Sequence, residues 1–444
     1  MGFVVVAGVL VPVGLPLGWD EIVYASRFGP YGPGVPFSAP RTRGVPLLLV
    51  PVASWSDSVV LLRLWMAALA GGALYAGFRP WLGVLRRPAA VWVAAGLYGS
   101  LWFALFYANS AMPNHYTAMG AAAATGCFLR RRPGRAAYAG IVAGLAVVTL
   151  MRPNDGAAVA LPLFVAATLV PAWRCRGRLV AVVAGVAAGA LPWVVEAWLR
   201  FGGVPGRLAE ASDTQGGLRP VLSLKAHLTA LDGPLLCRPC TGDTVASGVV
   251  EWWLLLPLLV VLGLWTVRRT RRANAPLWLA VAVAVAASLP YLFLVPYAAP
   301  RFLLPGYALL VLPAAVGLLA VADRARGSRP VAVALVLVLL GHAGVQIAQV
   351  RTHVSVQERA RGDWQRISAV LRENGVRPPC LIKGNSSAIP VAYTAGCASA
   401  DMDDPAPATA VILRRADPPD WARDWPRRPV PGTYNPGWSV AVRD

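Results

Sequence analysis

Apolar runs of close to 20 residues recur along almost the whole chain, separated by short polar segments. That repetition constrains the fold more than any other feature, because a helix of about 20 apolar residues matches the hydrocarbon thickness of a bilayer. The runs predict helical spans at 2–17, 58–78, 89–108, 115–129, 136–150, 156–172, 179–199, 251–267, 275–294, 302–322 and 330–349, eleven in all. Segments 115–129 and 136–150 are short for a crossing, so one of them is tilted or re-entrant. The first run is also short, with Pro12 and Pro16. A signal peptide or a start codon placed too late would explain that, although no small-x-small cleavage site precedes Asp20. Composition agrees with the spans: 57% of residues are hydrophobic and 14% charged, against about 45–50% and about 25% in soluble domains.

The net charge of +20 comes almost wholly from arginine, with Lys only at 225 and 383. The basic residues gather between spans, at Arg86-Arg87, Arg130 to Arg132, Arg174/Arg176/Arg178, Arg268-Arg269 with Arg271-Arg272, and Arg324/Arg326/Arg329. That is the distribution of cytoplasmic loops under the positive-inside rule, and it argues against nucleic acid as a partner. Strict alternation then puts 18–57, 109–114, 151–155, 200–250, 295–301 and 350–444 outside. Spans 136–150 and 179–199 are rich in Gly and Ala, so their backbones can approach closely. No fixed-period repeat, P-loop or dinucleotide fingerprint is present.

Residues 1–350 therefore form a transmembrane domain, and 351–444 a small extracytoplasmic α/β domain. In the latter, Trp364, Ile367 and Leu371 have helical spacing, and PPCLIKG, ATAVILRR and GWSVAV have the character of short strands. Its last ~30 residues, rich in Pro, Arg and Trp, read as loop. Of six cysteines, Cys127 and Cys175 lie at cytoplasmic span ends as packing residues. Cys237, Cys240, Cys380 and Cys397 fall outside, where the expected arrangement is two disulfides, 237–240 and 380–397. A redox-active CxxC or half of a zinc site is the alternative for CRPC.

Candidate chemistry concentrates in the outer segments. Asp20-Glu21 follows the first span directly. The bland reading is a pair of solvated loop acids; the functional one is a carboxylate that takes a proton from an acceptor hydroxyl at the membrane surface. Tyr24 lies one turn on. Arg41 and Arg43 sit on the side where the positive-inside rule does not ask for them, so they either anchor the surface or offer a bidentate fork to phosphate. Asn114 and His115, in NSAMPNHY (109–116), are candidate sugar contacts or interfacial groups. Arg152, in MRPND (151–155), either pairs with Asp155 or joins a phosphate site. Arg301, in PRFLLP (300–305), either snorkels or does the same.

An acid pair in the first outer loop, many spans, an RP turn mid-chain and a late PRFLLP resemble the GT-C glycosyltransferases. By pattern the chain is similar to glycosyltransferase family 39, the protein O-mannosyltransferases and the aminoarabinose transferases of lipid A. The motifs carrying this are WDEIVY (19–24), MRPND and PRFLLP. The resemblance implies a polyprenyl-phosphate sugar donor, inversion at the anomeric carbon, Asp20 or Glu21 as general base, and Arg301 on the lipid phosphate. The sequence departs from the family where a Pro-Pro-Leu-type segment is replaced by APRTRGVP (39–46). The expectation is thus a multi-pass protein of the cytoplasmic membrane that moves a sugar to a glycan, lipid or protein acceptor on the outer face. A divalent metal is left open as a cofactor. The rival expectations are a transporter or lipid flippase, for which the span centres carry too little charge, and a non-catalytic envelope assembly protein.

Overall fold

The computed structural model describes residues 1–233, 235–238, 240, 245, 248–269 and 275–443. Arg271 and Arg272 lie outside them. The chain begins with α1 (Gly2–Leu10), α2 (Trp19–Ala25), α3 (Gly44–Ala53), α4 (Val59–Phe78), α5 (Pro88–Gly99) and α6 (Trp102–Phe106). Next come α7 (Asn114–Phe128), α8 (Arg135–Met151), α9 (Pro153–Leu169), α10 (Arg176–Arg200), α11 (Val204–Gln215) and α12 (Leu224–Asp232). The last helices of the bundle are α13 (Glu251–Arg269), α14 (Ala275–Phe293), α15 (Leu304–Ala325) and α16 (Arg329–Glu373).

Six helices among the described residues are long and apolar enough to cross a membrane; they cover 59–83, 176–200, 251–268, 275–293, 300–325 and 329–373. Shorter apolar helices stand at α3, α5 and α8. The result is a multi-pass membrane protein, but several elements differ from the run lengths. The expected first span is helical only to Leu10, because Pro12 and Pro16 interrupt it. The expected span 89–108 is two helices, α5 and α6. The backbone N–H that the break frees at Trp102 donates to Gln346 Oε1 at 2.7 Å, so that donor is satisfied inside the bundle.

The helices are held together by packing of small residues as much as by large ones. A Cβ on Gly144 of α8 would lie 2.7 Å from the Gly120 carbonyl oxygen of α7. Across the other face of α8, Gly185 of α10 sits just as closely against Val142. These glycines let α7, α8 and α10 touch backbone to backbone, as the Gly/Ala content of two of those spans implies.

The boundary expected at 350/351 falls inside α16. This helix of 45 residues runs unbroken from its apolar half into its polar half, a length of roughly 65–70 Å. It carries the C-terminal unit, which adds α17 (Ala388–Ala395) and five strands. These are β1 (Leu381–Gly384), β2 (Ala398–Ser399), β3 (Ala410–Arg414), β4 (Arg427–Pro429) and β5 (Trp438–Val442). The sheet order is β2-β1-β3-β5-β4. β1 is parallel to β2 and β3, and β5 is antiparallel to β3 and β4. Three strands match the apolar segments read from sequence; β4, all exposed, lies in the tail read as loop and owes its state to pairing with β5 alone. Ile367 and Leu371 of α16 pack on Ile382, Ile412 and Val440, and Cys380 is bonded to Cys397 within this core.

Candidate active site

Four separate segments bring charged groups to one end of the bundle. Asp20 lies in the first turn of α2, where the helix N-terminus favours an acid. Arg41 comes from the loop before α3, Arg152 from the turn between α8 and α9, and Arg301 from a 3-10 turn at Pro300–Leu303 ahead of α15. Arg41 makes an ion pair with Asp20 Oδ1. Arg301 Nη2 stands 3.7 Å from Asp20 Oδ2. The same Arg301 donates through Nη1 to Tyr107 Oη at 2.8 Å and to the Leu235 carbonyl at 2.9 Å. Arg152 pairs with Asp155 at 3.7 Å and lies over the rings of Tyr291 and Phe302. Three guanidinia thus face two carboxylates.

Both acids of the DE pair are charged, but they face different surroundings. The Asp20 side chain retains 29% of its exposure, whereas that of Glu21 retains 4%. Glu21 Oε1 accepts from Arg63 at 3.1 Å and from the Ala111 N–H at 3.0 Å. Its Oε2 accepts from Arg63 at 3.1 Å and from the Gly18 N–H at 2.7 Å, and Arg361 Nη1 is 3.6 Å away. Every acceptor position of Glu21 is filled, so it ties α2 to α4, to the 109–112 segment and to α16. Asp20 keeps an open edge.

Burial opposes ionisation of Asp20, but Arg41 and then Arg301 outweigh it and hold the carboxyl below its ordinary 3.8. A group that remains ionised through the neutral range can accept a proton at any physiological pH. For the substrate-free protein, kcat/KM of a reaction that uses Asp20 is expected to stay level down to about pH 5, with its acid limb below the usual Asp value. A limb centred near pH 6–7 in a pH–rate profile would assign the base elsewhere.

The other candidates are placed as follows. Tyr24 is buried one turn beyond Asp20, with the Arg41 guanidinium 6.0 Å from its ring centre. Arg43 does not join this group. It lies over Phe37 and donates through Nε to Glu196 Oε1 of α10 at 2.9 Å; Arg200 and Arg207 share the same acid. Asn114 opens α7 and is buried. His115 is packed within the bundle: Nε2 is 3.0 Å from the Ala70 carbonyl and Nδ1 is 3.1 Å from Tyr98 Oη. With both nitrogens engaged, it has none to offer a ligand. Cys237 is bonded to Cys240, and Cys237 exchanges backbone hydrogen bonds with Ala298. That crosslinked turn therefore braces the Leu235 carbonyl against Arg301. Among the described residues, no group of three or more His, Cys, Asp or Glu side chains is placed to hold a metal ion.

Reading the motifs missed Arg63, Arg361, Tyr107 and Glu196. A signal was present for Arg63 and Glu196: an ionic group within an apolar run is costly unless it has a partner, so each announced one.

No family model matches the chain, and no curated protein matches it by sequence. Solved structures do match it. ArnT from Cupriavidus metallidurans bound to undecaprenyl phosphate superposes with a TM-score of 0.67 at 16% identity, over 99% of this chain and 97% of that one. The same ArnT in the apo state gives 0.64 at 15% identity. The oligosaccharyltransferase AglB from Archaeoglobus fulgidus, in complex with an inhibitory peptide and a dolichol-phosphate, gives 0.53 at 11% identity, over 89% of this chain and 63% of that one. In architecture the chain is similar to ArnT over 99% of its length, and it shares its fold with AglB over 89%.

Proposed function

We propose that this protein transfers a sugar from a polyprenyl-phosphate donor to an acceptor hydroxyl or other nucleophile at the extracytoplasmic surface of the membrane. The observation that carries the reading is the juxtaposition of Asp20, partly open, with Arg41 and Arg301 from distant parts of the chain. The two similar folds hold a polyprenyl phosphate in their solved complexes, which supports a lipid phosphate as a ligand of this molecule.

The chemistry follows from the charges. The donor is a phosphodiester with one negative charge, and its departure as polyprenyl phosphate adds a second. Arg301, Arg152 and Arg41 are positioned to stabilise that growing charge, which lowers the barrier to breaking the anomeric C–O bond. The acceptor oxygen attacks the anomeric carbon from the opposite face, giving inversion, and its proton passes to Asp20. Glu21 plays no direct part; it fixes α2 so that Asp20 stays within reach. The arginine distribution between spans supports this end lying outside, with the basic loops in the cytoplasm.

The test is binding of an undecaprenyl phosphate probe to purified protein. Arg301→Ala removes one bidentate, charge-assisted contact and leaves Asp20 with Arg41. A loss of about 10- to 100-fold in affinity is expected. Unchanged affinity would remove Arg301 from the lipid phosphate and, with it, the proposed polarity of the site.

A further inference from the structure

A second hollow lies on the other side of α2. It has a volume of about 340 Å³ and is walled by the first outer loop, α16 and α17. Ile22 faces it, while Asp20, two positions earlier on the same helix, faces the arginines. The hollow and the arginine cluster therefore share one helix as a partition. Their chemistry differs. The arginine cluster carries excess positive charge. In the hollow, the one cation among the described residues is Arg361, already committed to the Pro16 carbonyl and to Glu21.

Among the described residues, the polar side chains of this hollow without a hydrogen bond or ion pair are Asp57 and Gln365, both exposed, Trp364 and Tyr393, half-buried, and Tyr31, whose hydroxyl is sealed from solvent. A half-buried Trp or Tyr usually finds a partner for its N–H or O–H, and here two such groups converge with a carboxylate and an amide. Tyr31 completes the wall: burial first, then the nearby Asp57 charge, raise its phenol to about 12. Leu17, Ile22 and Val59 supply apolar surface. The size falls in the range of small-ligand pockets, about 300–1,000 Å³.

We infer that this cavity, formed by Asp57, Trp364, Gln365 and Tyr393, binds a carbohydrate residue. A sugar ring offers many hydroxyls to a carboxylate, an amide, a phenol and an indole, and its C–H faces suit the aromatic rings. Among the described residues, an anion would meet the Asp57 charge with no free cation to balance it, and a metal ion would find one carboxylate. That the bound sugar belongs to the acceptor rests on the transferase reading above; the binding itself does not.

The test is saturation-transfer NMR on the full-length protein in a detergent without a sugar headgroup. The probes are the methyl glycosides of glucose, mannose, galactose, N-acetylglucosamine and arabinose. At least one is expected to bind, and Asp57→Ala, which removes a charged hydrogen-bond partner, is expected to weaken it about tenfold or more. Gln365→Ala and Tyr393→Phe should each weaken it less. None of these side chains supports another, so all three variants are expected to fold. Binding should persist in Asp20→Asn, because Asp20 faces the other recess. If no glycoside binds, or if binding is indifferent to Asp57, Gln365 and Tyr393, the inference is overturned. Sugar binding without any transfer by the wild type would sink the transferase reading and leave the cavity standing.

Discussion

Replacing Asp20 with Asn is expected to lower the rate of sugar transfer by roughly 10²–10⁴-fold, the usual contribution of a positioned general base. The amide has the size of the carboxylate and can still accept from Arg41, so the loop should keep its course. The lost ion pair is partly exposed, and such pairs contribute only about 0–1 kcal/mol to stability. A large kinetic loss with a nearly unchanged melting temperature is therefore the expected signature. The neighbouring acid cannot take over. Glu21 is sealed and has all its lone pairs occupied by Arg63, Gly18 and Ala111. Transfer of a labelled sugar from a polyprenyl-phosphate donor, followed in reconstituted vesicles, measures the effect.

The opposite signature is expected for Glu21→Gln. The substitution leaves the Arg63 guanidinium, almost fully buried, without its counter-charge. Breaking a buried pair in this way costs about 3–5 kcal/mol. The variant should melt at a much lower temperature, and whatever activity it loses should track the loss of folded protein. The pH dependence has a defined sign. Burial opposes the ionisation of Glu21, but Arg63 and then Arg361 prevail and hold it below its ordinary 4.5. Its stabilising contribution is thus complete above pH 4.5 and is lost as pH falls through the lower, folded value. Thermal melts from pH 7 to pH 3 should show the wild type losing its advantage over Glu21→Gln only in that acid window. Equal melting temperatures at pH 7 would show that Glu21 does not hold α2 in place.

How much of this could be read from the chain alone differs by element. The multi-pass character, the Gly-rich helix contacts and the three apolar strands were legible because each leaves a periodic or compositional mark, whereas the count of eleven spans was not. The convergence of Asp20, Arg152 and Arg301 agrees with the expectation, from alternation of sides, that their segments share one surface. The division of labour within Asp20-Glu21 was not, because it depends on where Arg63 and Arg361 lie, 42 and roughly 340 residues away. Arg41 and Arg43 look alike in sequence, yet Glu196 claims one of them and Asp20 the other. His115 has the chemistry of a ligand contact, but Tyr98 and the Ala70 carbonyl occupy both nitrogens. The continuity of α16 was hidden because its apolar half ends where a span would, and only packing on the sheet shows that the helix continues.

The most direct measurement is to determine donor affinity and turnover together in Asp20→Asn. Asp20 competes with the lipid phosphate for Arg41 and Arg301, so removing its charge should leave the dissociation constant of undecaprenyl phosphate unchanged or lower it. Turnover in the same preparation should fall by two orders of magnitude or more, as expected for the loss of a base. A variant that turns over at the wild-type rate, or one whose only defect is weak donor binding, would contradict the account.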